Sequence, residues 1–287
     1  DVPAKHEQYF KCGTCGATLE VRAMACIRQQ DFAEADRCLS RAKGASARAE
    51  ELARLEFLTG RVAHARHQYD GALECFARAA DAAVRAGAVF EEATYLSGVA
   101  AAATELGQLG RALHAAGRAL ILYDFLGRPE LAARAALSRA SVLLVASARE
   151  EAIEAAEEAL RLGRLGGDVR CEAYAHLALA EALLDEPLTA VEHLERAKQR
   201  VDEDAAADDL RVAALELQLG RDVDLVALDA RASDAGASAE ARLAWWGARA
   251  RQLSHPGANG RAREVTQKLT LLVSAHASVG VRGPAFA

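Results

Sequence analysis

The chain is short of aromatic side chains, short of proline and without any long apolar run, and each shortage narrows what it can be. Only 5% of its residues are Phe, Trp or Tyr, although 52% are apolar. Much of the apolar volume is therefore alanine, which suits helices that meet at short side chains. No stretch reaches the roughly 18 consecutive apolar residues of a membrane-crossing helix, and no secretory leader pattern opens the chain. A concentrated basic stripe, which phosphate binding requires, is also missing: the net charge is −6 with both signs interspersed. Nucleic acid is not the expected partner, even though 242–251 is locally basic. The six cysteines form no disulfide framework, and a reducing cytoplasm is the expected setting. The first residues are Asp1-Val-Pro rather than a methionine, which leads us to expect a piece of a longer protein.

Catalytic and cofactor signatures are equally scarce. There is no glycine-rich phosphate loop ending in Lys-Ser/Thr, no Gly-x-Gly-x-x-Gly, no His-Glu-x-x-His and no Gly-x-Ser-x-Gly. An enzyme is not expected, and no cofactor is implied beyond one candidate. Cys12 and Cys15, in Lys11-Cys-Gly-Thr-Cys-Gly16, have the turn geometry of half a zinc site, but a second Cys-x-x-Cys is lacking. They read either as two zinc ligands or as small residues leading into the first helix. Cys38, Cys75 and Cys171 read as small apolar fillers on helices. His64, His67 and Asp70 could chelate a metal or form a stripe at a helix end. The acidic pairs Glu91-Glu92 and Glu157-Glu158 are expected to face solvent.

What the chain does have is a repeat. In Gln68–Ala80, helical spacing puts Ala72, Phe76, Ala79 and Ala80 on one face. The Ala72 position recurs at Ala112 and Ala152, forty residues apart, and with slightly shorter spacing at Ala35 and Ala190. Seven residues after each marker stands another alanine: Ala42, Ala79, Ala119, Ala159 and Ala197. Twelve before each stands a small residue: Ala23, Gly60, Ala100, Ala140 and Ala178. A period near forty marks a repeat architecture. Each unit reads as two helices whose small side chains let the backbones approach to roughly 8–10 Å. The repeats run about 16–43, 48–86, 90–126, 129–165 and 169–201. An acidic stretch near 201–209 leads into two degenerate copies, 205–235 and 238–276. Three regions are therefore expected: a lead-in (1–15), five repeats (16–201), and a closing part with two degenerate repeats and a cap (202–287). Trp245 and Trp246, adjacent on a helix and thus about 100° apart, read either as the cap of the stack or as a docking surface, with one ring inside and the other outward.

The small, aromatic and small positions Gly60, Tyr69, Ala72, Phe76 and Ala79 resemble the tetratricopeptide repeat family, over roughly 16–200. The period is longer than usual in that family, and its helix-A tryptophan and closing proline are missing. The longer period is similar to variant repeats of large bacterial signalling and regulatory proteins. The resemblance implies an all-α solenoid of about seven antiparallel helix pairs in a right-handed superhelix, acting as a protein–protein interaction scaffold. It also implies that the first helix of each pair lines a concave groove. The offsets then place Arg54, Phe57, Arg61 and His64 on that surface in the second repeat. Thr94, Ser97, Ala101 and Thr104 follow in the third, and Arg134, Leu137 and Ser141 in the fourth. Arg54, Arg61 and Arg134 are the expected anion contacts for an acidic or C-terminal segment of a protein partner, unless they only solubilise the face. The alternative is a regulatory domain that closes on a small effector; a homo-oligomer is compatible with either.

Overall fold

The computed structural model describes residues 16–45, 48–200, 206–221, 223–233 and 239–253. Among these residues the chain is all helix, with thirteen helices and no strand. The pairs are α1 (Gly16–Arg28) with α2 (Phe32–Ala45), α3 (Ala49–Ala65) with α4 (Tyr69–Ala86), and α5 (Val89–Glu105) with α6 (Leu109–Phe125). Next come α7 (Pro129–Val145) with α8 (Arg149–Gly166), and α9 (Val169–Ala182) with α10 (Pro187–Lys198). Three shorter helices follow: α11 (Ala206–Gln218), α12 (Leu225–Ser233) and α13 (Ala239–Leu253). Cys12, Cys15 and the greater part of the last degenerate repeat, 238–276, lie outside the described residues.

The turn inside each of the first four pairs is built the same way. The amide of Asp31, Gln68, Gln108 and Ala148 donates to the carbonyl five residues back, on Cys26, Ala63, Ala103 and Leu143, at 2.8–3.0 Å. This is the bond of a Schellman stop, and it requires a left-handed residue just before the donor. Gly107 fills that position in the third pair at φ 67°, while Gln30, His67 and Ser147 hold it at 61°, 60° and 57°. Pro129 and Pro187 occupy the first turns of α7 and α10, where a missing amide hydrogen costs nothing.

The seam of small side chains forms as its spacing predicts. The markers Ala35, Ala72, Ala112, Ala152 and Ala190 are buried, as are the alanines seven residues on. Gly60 shows why size matters. A Cβ there would sit 2.7 Å from the ring of Phe76, and one on Gly98 would sit 3.0 Å from the same ring. Phe76 is thus an apolar plug held in a notch between two glycines of α3 and α5. In the sixth pair the seam stops, and the marker Ala227 is exposed.

The described residues up to Leu126 form one compact unit and those from Gly127 a second. In the first, α1 packs on α3 and α3 on α5, so first helices make one layer, while α4 packs between α3 and α5. In the second, α7 packs on α9 and α8 on both. At its far end α13 packs on α11 and α12. This double contact corrects the expectation for the tryptophans. Neither ring looks outward: Trp245 and Trp246 are both fully buried, in a cluster with Ala213, Ala214, Leu217 and Ala232. Trp245 Nε1 donates to Asp229 Oδ1 at 2.9 Å, and the nearly inaccessible Arg249 holds the same carboxylate at 3.3 Å. Adjacent positions 100° apart are both covered because α13 has a neighbour on each side.

Candidate functional site

The first-helix layer of the N-terminal unit carries most of the residues that the offsets single out. Arg54 and Arg61 are exposed on α3, with Phe57 and His64 half-buried beside them. Their surroundings separate them sharply. Arg54 Nε pairs with Glu20 Oε1 of α1 at 2.9 Å, so its charge is already answered by its own chain. Phe57 belongs to the packing: its ring lies 5.3 Å from that of Phe76 and 4.8 Å from that of Tyr95. Only part of its surface is left for a ligand. Arg61 is different, since it makes no ion pair among the described residues.

His64 faces the ring of Tyr69 edge-on, with centroids 5.1 Å apart. Its Nε2 is buried and has no hydrogen-bond partner. Burial lowers its pKa, and nearby His67 lowers it further, so His64 is an uncharged ring at neutral pH. His67 is occupied by Tyr69, whose hydroxyl lies 2.7 Å from Nδ1. Burial, reinforced by Glu105, pushes the Tyr69 hydroxyl up to about 12. His64, His67 and Asp70 do not come together as ligands; among the described residues no cluster of three metal-binding side chains occurs.

The hydroxyls on this layer have spent their protons locally. Thr94, Ser97 and Thr104 of α5 donate to the carbonyls of Phe90, Ala93 and Ala100 at 2.9, 3.0 and 2.7 Å. Thr94 also accepts from the Tyr123 hydroxyl at 3.2 Å. What these groups offer a ligand is oxygen lone pairs, not donors. Ala101 is exposed between them and leaves the surface low.

Arg134 lies in the second unit and is paired there within the chain. Its Nε donates to Asp168 Oδ2 at 2.7 Å, while Asp168 Oδ1 accepts the amide of Cys171 at 3.0 Å and caps α9. Burial works to raise the Asp168 pKa, but the Cys171 amide and the Arg134 guanidinium outweigh it and hold the carboxyl below its ordinary value. Ser141 donates to Leu137 at 3.1 Å. Of the three arginines expected to meet an anion, two are therefore committed to Glu20 and Asp168.

Two other expectations meet the structure here. Glu92 does not face solvent: it is buried on the side of α5 that meets α6, and Arg118 holds it at 2.6 Å. Cys38, Cys75 and Cys171 are buried fillers, and burial pushes the Cys171 thiol up to about 12. The offsets also contained a signal that isolated side chains hide. Glu20 stands fifteen residues before its marker Ala35, just as Phe57 does before Ala72, so the same offset could have found the partner of Arg54.

No family model matches this chain, and no curated protein does. Solved structures do match. A Rap protein complexed with Competence and Sporulation Factor aligns at TM-score 0.74 and 17% identity, over 91% of this chain and 75% of that one. The chain shares its helical-repeat fold. NprR in complex with its cognate peptide NprX aligns at TM-score 0.62 and 12% identity, over 90% and 78%. The apo form of RapI aligns at TM-score 0.57 and 11% identity, over 91% and 86%. No helix among the described residues is long and apolar enough to cross a membrane.

Proposed function

We propose that this chain is a binding module, not an enzyme: a tetratricopeptide-like receiver for a peptide or an extended segment of a protein, working in the cytoplasm within a regulatory protein. The observation that carries the reading is Arg61. It is an exposed guanidinium with no ion pair among the described residues, on a face where Arg54 is already neutralised by Glu20. A guanidinium of this kind takes a carboxylate through two parallel hydrogen bonds. Phe57 and His64 stand four residues before and three after it, on the same side of α3. Their half-buried rings provide apolar surface for the side chain next to the bound carboxylate, and the free oxygens of Ser97 and Thr104 accept peptide amides. Support comes from two of the proteins that share the fold, since a Rap protein and NprR are each described in complex with a factor or a cognate peptide.

The test is capture of short peptides from an array in which each sequence is present as the free C-terminal acid and as the amide. Binding is expected to favour carboxylate-bearing members and to fall at least about tenfold, some 1.4 kcal/mol, in Arg61→Glu, with the thermal midpoint unchanged. Equal capture by Arg61→Glu, or no capture of any member, contradicts the reading.

A further inference from the structure

The second unit holds a buried polar contact that the proposed function does not use. His176 of α9 is fully buried, and its Nδ1 lies 3.0 Å from Nδ1 of His193 on α10. The two rings are 5.2 Å apart at their centroids. At that distance one nitrogen must carry the proton and the other must accept it, so the pair is bonded only while at least one ring is neutral. The far nitrogen of His176, Nε2, is buried with no partner. A second proton on the His176 ring thus puts charge where nothing inside the seam answers it.

We infer that this histidine pair is a proton-sensitive latch on the α9–α10 hairpin, firmest at neutral pH and progressively weakened by acid. Every helix packed around α9 bears on the outcome. From α10, Arg196 and Arg200 face the pair, Arg196 being held by Glu192 and Arg200 by Glu172 at 3.3 Å. From α8 come Arg164, 3.9 Å from Glu172, and Glu157, which favours the charged form of His193. From α7, Arg134 is paired with Asp168; from α11, Arg211 lies over the ring of Tyr174 at 6.0 Å. Glu172, four residues before His176 on α9 itself, is shared by two guanidiniums. Cations therefore outweigh free carboxylates around the rings.

Burial, then the neighbouring His193, then Arg200, Arg164 and Arg196 lower the His176 pKa to about 4. Burial and Arg196 also lower that of His193. For a base held neutral by folding, the unfolded chain takes up its proton near its ordinary value of about 6.5 while the folded one still resists. The stability due to the latch is present above that value and is lost as pH falls toward 4.

The experiment follows hydrogen exchange in the full chain at about pH 7.5 and pH 5, corrected for the intrinsic pH dependence of exchange. Amides of α9 and α10 should exchange about thirtyfold faster at the lower pH, the ratio expected for one site moving from about 6.5 to about 4, while the histidine-free α1 and α2 change little. In His176→Phe/His193→Leu that acid response of α9–α10 should vanish. Should the double variant fail to fold, ring nitrogen NMR of the wild type decides. A His176 ring that stays neutral at pH 5 supports the latch; one that titrates at the ordinary histidine value overturns it. An acid response of the same size in the folded double variant also overturns it.

Discussion

Gly60 and Phe76 carry the account at the scale of single residues. With the ring 2.7 Å from where a Cβ would stand, Gly60→Ala is expected to cost about 1–3 kcal/mol, the usual penalty of overpacking a tight seam. Phe76→Leu should restore part of the loss in the double variant, because the two sites share one contact. Urea unfolding of the single and double variants checks this, and additive losses would place the glycine's role elsewhere. Ser147 is the opposite case. It holds φ 57° where the third pair uses Gly107, so Ser147→Gly should raise stability by up to about 1 kcal/mol; an unchanged midpoint would contradict the strain. Asp168 bears the charge-dependent term. Folding holds its carboxyl below the ordinary value, so the stability it adds is full above about pH 4 and fades as pH falls through the lower folded value. Asp168→Asn keeps a capping side chain but cannot ionise. It should be up to about 1 kcal/mol less stable at neutral pH, because a charge-assisted bond to the Cys171 amide becomes a neutral one while the pair with the exposed Arg134 contributes little, and the gap should narrow as pH falls below about 4.

Among elements, the helix pairs were the part most legible in the sequence, because small residues at fixed offsets leave a mark that needs no partner to be read. The five markers and the alanines seven residues on all fall in the buried seam. What could not be read is whatever depends on which neighbour lies across a face. The two tryptophans look divided between inside and outside until α11 and α12 are both known to touch α13. Glu92 looks solvent-bound until Arg118 is found against it. His176 and His193 are seventeen residues apart, on different helices, and no period connects them. The candidate surface shows the same division. Its residues were legible by offset, and so was Glu20 as a neighbour of Arg54, but not that Arg134 is already paired, since Asp168 stands at no repeat offset from it.

For the molecule as a whole, the architecture asks little of most positions. Size limits at a few offsets and a left-handed turn residue in most pairs are conditions that many unrelated sequences can meet. A shared fold at 17% identity and TM-score 0.74, with no family model matching, is what such a design leads one to expect. It also means that fold alone does not name a ligand, and the functional reading rests on one layer of helices in the N-terminal unit. The most direct test of that reading is hydrogen exchange with and without an excess of the best carboxylate-bearing peptide from the array. Protection should appear on α3 and α5, centred on Arg61, and be absent in Arg61→Glu. Protection confined to α2, α4 and α6, or to the second unit, would contradict it.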